Sequence, residues 1–92
     1  MTATATPALT VSAAALDVAA RAFGWTVALP ELVSGNEHKH VFTRGTESVT
    51  VYEDLDDRRI VSFTWVGDQF NWTAVGEDQA AVYALVQLSQ PA

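Results

Sequence analysis

HVFTRGTESVTVYEDLDDRRIVSFTWVGDQFNWTA, residues 40–74, contains four runs in which apolar and polar side chains alternate, separated by three short turns. Alternation with period two marks strands that have one buried and one wet face. Arg44-Gly45-Thr46-Glu47 supplies a tight two-residue turn, which sets Phe42 opposite Val49 and His40 opposite Val51. The acidic loop from Asp54 to Arg58 closes the next hairpin, with Glu53 against Arg59, Val51 against Val61 and Val49 against Phe63. Gly67-Asp68 turns the third and puts Trp65 beside Phe70, Phe63 beside Trp72 and Val61 beside Ala74. Turn position alone thus gathers Phe42, Val49, Val51, Val61, Phe63, Trp65, Phe70 and Trp72 on one face. A slip of one residue would throw a whole strand's side chains to the other side, so this agreement is a strong constraint.

Helices flank the strands. Ala-rich sequence from about Thr10 to Phe23 favours a helix, with Thr10 or Ser12 to cap it and Gly24 to end it. Leu9, Ala13, Leu16, Ala20 and Phe23 share one face, and Val11, Ala15, Val18 and Ala22 form an adjoining stripe. Asp17 and Arg21 are left facing water at i,i+4 spacing. A second helix opens at Gly76-Glu77-Asp78, acids at its positive end, and stops near Ser89 before Pro91. Ala81, Ala84, Leu85 and Leu88 give its apolar stripe, joined by Val82 and Val86. Between helix and sheet, Trp25–Leu29 reads as a short strand or extended link, and Glu31–Lys39 as a hairpin or connector around Ser34-Gly35-Asn36. The expected fold is α+β: a two-layer sandwich whose antiparallel meander of four or five strands carries the N- and C-terminal helices on one face (α-β4-α). Residues 1–92 read as a single domain, with 1–8 a loose lead-in of small residues.

Composition narrows the function classes. There are no cysteines, which excludes disulfides, thiolate chemistry and Cys-based metal sites. Five basic residues against eleven acids give a net charge of −6, a poor balance for gripping phosphates, so nucleic acid is not an expected partner. Asp17 and Arg21 interrupt the N-terminal apolar run well short of a membrane span, and no basic segment precedes it as in a secretory signal. A cytoplasmic location and no membrane association are expected.

Chemistry-bearing groups occur in few places. His38 and His40, at i,i+2 on a strand, point to one face, and the register brings Glu53 next to His38. Two imidazoles and a carboxylate are zinc-type ligands. The plainer reading is two ordinary histidines at a strand entrance beside an exposed acid. With the third ligand inferred and no fourth visible, neither a metal nor any other cofactor is expected. Glu53-Asp54-Leu55-Asp56-Asp57 lacks the glycine and terminal glutamate of a calcium loop, and a hairpin tip cannot desolvate a carboxylate for acid–base work. It reads as a solvated turn, an acidic knob that a basic partner could meet. No nucleophile elbow, S-x-x-K or phosphate loop occurs, so no catalytic residue is assigned. Trp25, Trp65, Trp72, Phe42, Phe63 and Phe70 fill the core on this reading; the alternative is an aromatic pocket for a small molecule or lipid between sheet and helices.

The outer sheet face is the remaining candidate. It presents Val41, Thr43, Thr50, Tyr52, Ile60, Ser62, Thr64, Asn71 and Thr73, with Lys39 at its margin. Depletion of charge around a tyrosine is the composition of an interface core. Tyr52 and Ile60 are cross-strand neighbours in this register, an apolar spot flanked by hydroxyls. Partner binding is therefore assigned to Val41, Thr50, Tyr52, Ile60 and Ser62, together with Asp54, Asp56 and Asp57 of the loop.

The Ala/Thr/Val-rich usage, short N-terminus and hairpin SVTVYEDLDDRRIVSFTWV (residues 48–66) resemble the small accessory proteins of actinobacteria and their phages. The resemblance implies a non-enzymatic module that binds one host or partner protein, such as a phage-encoded modulator of a host protein; the outer sheet face, for its part, could pair with a second copy of the chain as a homodimer. The resemblance assigns no site residues.

Overall fold

The computed structural model describes residues 11–68, 71–75 and 77–91. The lead-in at 1–8, Leu9, Thr10, Phe70 and Gly76 lie outside the described residues. Helix α1 spans Ala13–Ala22, followed by strands β1 (Thr26–Val27), β2 (Glu31–Ser34), β3 (Glu37–Arg44), β4 (Glu47–Asp54), β5 (Arg59–Val66) and β6 (Asn71–Val75), then helix α2 (Glu77–Leu88). All pairings are antiparallel, in the order β1-β3-β4-β5-β6. The α+β class therefore holds, with six strands. The added pieces both lie along the free edge of β3: β1 pairs with Phe42 and Thr43, while β2 folds back around Gly35-Asn36 to pair with Glu37, His38 and Lys39. The connector is thus a hairpin, and β3 is an interior strand for much of its length.

Local chemistry sets the helix ends. Ser12 caps α1, its side chain accepting from the Ala15 amide at 3.2 Å, and Gly24 closes it at φ +85°, where a side chain would be strained. Asp17 and Arg21 form the expected surface pair at 2.7 Å. The buried face of α1 is narrower than its sequence suggests. Leu16 and Ala20 are fully buried, whereas Ala15, Val18, Ala22 and Phe23 are exposed. On α2, Ala80, Ala81, Ala84 and Leu88 are buried, but Val82 and Val86 face out. Small side chains on both helices let them lie close to the sheet and to each other.

The sheet register agrees with the turn-based reading for β3 and β4, pairing His38 with Glu53, His40 with Val51 and Phe42 with Val49. The next two pairings differ. Val51 lies opposite Phe63 and Val49 opposite Trp65, while Phe63 lies opposite Ala74 and Trp65 opposite Trp72. Each is displaced by two residues, so the faces are preserved along most of β5 and β6. The exception is a β-bulge: Tyr52 pairs with Ser62 and Glu53 with Ile60, leaving Val61 as the extra residue. Glu53 therefore does not face Arg59, which pairs with Asp54. Past the bulge the alternation reverses, and Ile60 turns inward. It is 1% exposed, a core residue rather than part of the outer face, and Val61, expected inside, is only partly buried.

One apolar cluster joins the helices to the inner sheet face through Leu16, Ala20, Trp25, Phe42, Val49, Val51, Ile60, Phe63, Ala84 and Leu88. Trp72 is not part of it. On edge strand β6 it is 44% exposed, edge-on to Phe63 (5.6 Å between ring centres) and to Tyr83 of α2 (4.9 Å). Arg44 ties the two helix ends together. Its Nη1 donates to the Phe23 carbonyl (2.9 Å) and the Gln90 carbonyl (2.8 Å), and its guanidinium stacks 4.4 Å above the Trp25 ring. Both carbonyls lie at the negative ends of helix dipoles. Arg44→Ala is expected to lower stability by about 2 kcal/mol in urea unfolding. Arg44→Lys should recover less than half of that, because an ammonium has no planar face to stack on Trp25 and its more flexible stem is not held where Nη1 meets both carbonyls.

Candidate functional site

Three surfaces bear on function. The first is a polar cluster on the inner sheet face. Because Phe42 points inward, His40 and His38 at period two must point the same way. Glu53, opposite His38, joins them through the same alternation along β4. The carboxylate is 5% exposed, which corrects the expectation of an exposed acid beside the histidines. It reaches diagonally, with Oε1 2.9 Å from His40 Nε2, while Oε2 lies 3.6 Å from Arg58 Nη1. Burial of a carboxylate is costly unless it is paired and hydrogen-bonded, and these two contacts supply that pairing. The His38 ring sits edge-on to His40 at 6.0 Å. One ligand atom from each of His38, His40 and Glu53 falls within 4.8 Å of the others.

The second surface is the loop after β4. Asp54 Oδ1 accepts from the Asp56 amide at 2.9 Å, a side-chain turn that shapes the loop. Asn36 braces it from the β2–β3 turn, donating through Nδ2 to Asp56 Oδ2 at 3.0 Å and accepting from the Leu55 amide at 2.8 Å. Asp56 and Asp57 are exposed and Asp54 partly so. Arg58 completes the turn at φ +56°, a left-handed conformation that costs a non-glycine residue about 1 kcal/mol.

The third is the outer sheet face. Val41, Thr50, Tyr52 and Ser62 stand on it, each partly exposed. Ile60 does not, because the bulge has turned it in. The corrected register adds Ser48, Val66 and Val75, so the outer positions from Val41 and Thr43 across to Asn71 and Val75 carry no charge. Charges collect at one end, in Glu37, Lys39, Asp54 and Arg59. Strict alternation from turn positions could have included Ser48 and Val66, but nothing in the sequence reveals the bulge directly.

A cleft of about 320 Å³ also opens between α1 and the β1–β2 link, lined by Ala13, Asp17, Arg21, Leu29, His40 and Phe42 among others. Among the described residues Phe42 is its one Phe, Tyr or Trp lining residue. The tryptophans pack elsewhere, so the cleft is not the aromatic pocket considered from sequence. Among the described residues no helix is long and apolar enough to cross a membrane. No family model, curated protein or solved structure matches the chain.

Proposed function

We infer that the chain is a non-enzymatic protein-binding module that docks a partner on its uncharged outer sheet face. The observation carrying this reading is the asymmetry of the sheet. Both helices cover one face, and the other presents Val41, Tyr52, Val66 and Val75 among hydroxyls, its charges confined to one end, where Lys39 lies opposite Tyr52. Solvated sheet faces ordinarily carry Lys and Glu; depletion of charge across the rest of the face, with Tyr52 at its margin, is the pattern of an interface core. Size adds a constraint. Four strands spaced about 4.8 Å apart and five residues rising about 3.3 Å each project to roughly 300 Å², against about 800 Å² per partner in a standard interface. Docking therefore extends past the patch, onto the β6 edge where Val75 is 76% exposed or onto the loop aspartates Asp54, Asp56 and Asp57. A host protein met in the cytoplasm is the partner implied by the resemblance to actinophage accessory proteins, and a second copy of the chain is the other occupant.

Tyr52→Asp tests the surface. Tyr52 is only partly buried and lies outside the core cluster, so the variant should melt within a few degrees of wild type. It should lose at least about tenfold in affinity for a partner captured by wild type, since an acid replacing the only aromatic of the patch removes its contact area and adds a charge to be desolvated, about 1.4 kcal/mol or more together. Sedimentation of both proteins reads self-association in the same experiment. Undiminished binding, or undiminished dimerisation, by Tyr52→Asp would remove the outer face from the reading.

A further inference from the structure

The geometry points to a divalent-cation site of the zinc class formed by His38, His40 and Glu53 on the inner sheet face. It is independent of partner docking, which uses the opposite face. Three observations carry it. The residues come from two neighbouring interior strands whose register is fixed, His38 directly opposite Glu53 and His40 two residues along on the same face. Their ligand atoms already lie within 4.8 Å of one another. Glu53 is a carboxylate 5% exposed, held in place by the sheet rather than waving in solvent.

The fit can be checked against coordination geometry. Ligand atoms about 2.0–2.1 Å from a tetrahedral ion stand about 3.3 Å apart. The His40–Glu53 contact, 2.9 Å, must open by a few tenths of an ångström. The widest separation, at most 4.8 Å, must close by about 1.5 Å. A change of histidine rotamer displaces a ring nitrogen by more than that distance, and His38 is only partly buried. Two imidazoles with one carboxylate favour zinc and its transition-metal neighbours over calcium or magnesium, which prefer oxygen. Three protein ligands leave a fourth position for water.

Arg58 is the competing group. Its guanidinium sits 3.6 Å from the Glu53 oxygen not bonded to His40, but its side chain is 69% exposed and free to swing away. A bound ion replaces its charge. This gives the site a signature that a plain His–Glu hydrogen bond lacks.

Zinc chloride titrated into untagged, chelator-treated full-length protein, read by calorimetry and by thermal melting, tests the site. The expected result is one ion per chain and a melting temperature several degrees higher with zinc. His38 takes no part in the His40–Glu53 bond, so His38→Ala should leave the metal-free melt within a few degrees of wild type. It should weaken zinc at least tenfold, since even outer-shell partners of metal ligands are worth that much. Arg58→Ala should bind zinc at least as tightly as wild type. If wild type fails to bind zinc at micromolar concentrations, or His38→Ala binds as tightly as wild type, the site is overturned. Glu53→Gln is a secondary variant: its loss of zinc binding counts only if it folds, and His38→Ala decides otherwise.

Discussion

Phe63→Ala is expected to cost about 3–5 kcal/mol, the usual penalty for truncating a fully buried phenylalanine, and to lower the urea midpoint and melting temperature sharply. Phe63 is 1% exposed and lies between Val51 on β4 and Ala74 on β6, on the side of the sheet that α2 covers. A domain of this length has only about 5–14 kcal/mol in total, so a single deletion of this size takes from about a fifth to nearly all of it. Trp72→Ala provides the contrast. Trp72 is the larger side chain and looks equally internal by alternation, but 44% of it stays in water. Its loss removes half a ring's burial and two edge-on aromatic contacts, about 2 kcal/mol together. Urea unfolding of the two variants side by side reads the difference. Equal costs would mean that Trp72 is covered in solution and that β6 is not an open edge.

The ranking of these two residues shows what was legible in the sequence. Alternation from Phe42 to Trp72 carried the correct face for almost every strand residue, because a displacement of two preserves parity. The turns did not carry the exact partners. Glu53 and Arg59 look like natural neighbours flanking an acidic loop, yet the side-chain turn from Asp54 to Asp56 and the left-handed Arg58 tighten the loop to four residues. Burial at an edge was not legible either. Period-two reading assigns a side chain to a face and is silent on how much of that face a helix covers. The same limit applies to α1 and α2, where Val18, Val82 and Val86 belong to apolar stripes but lie beyond the reach of the sheet.

The candidate sites divide along the same line. His38, His40 and Glu53 could be grouped from the β3–β4 turn alone, since that register is regular from Arg44 to Glu37. Whether the acid was wet depended on what stood opposite it. In a regular ladder Ile60 would point away, leaving Glu53 beside an exposed Arg59. The bulge instead sets Ile60 opposite the carboxylate on the inner face and closes it off from solvent. One inserted residue thus converts an ordinary surface acid into a buried ligand. It also takes the isoleucine off the outer face, leaving Tyr52 between Lys39 and Ser62 at the margin of a patch of hydroxyls and valines.

Ile60→Asp is therefore the variant with the largest expected effect. Were Ile60 on the outer face next to Tyr52, the aspartate would be solvated and the fold untouched. In the core it loses the aliphatic burial, about 2–5 kcal/mol, and adds a second carboxylate directly opposite Glu53. A second carboxylate there adds like-charge repulsion and the burial of an acid with no partner of its own, a further cost. The sum exceeds about 5 kcal/mol and should leave no cooperative melt, while Tyr52→Asp folds. Ile60→Val, which deletes one methyl group, should cost about 0.5–1.5 kcal/mol. Val61→Asp separates the two registers. With the bulge, Val61 is the partly buried extra residue and its substitution is survivable; with strict alternation, Val61 occupies the core and Val61→Asp is the variant that unfolds. A folded Ile60→Asp together with an unfolded Val61→Asp would return Ile60 to the outer face, expose Glu53, and undo both the metal site and the present outline of the docking surface at once.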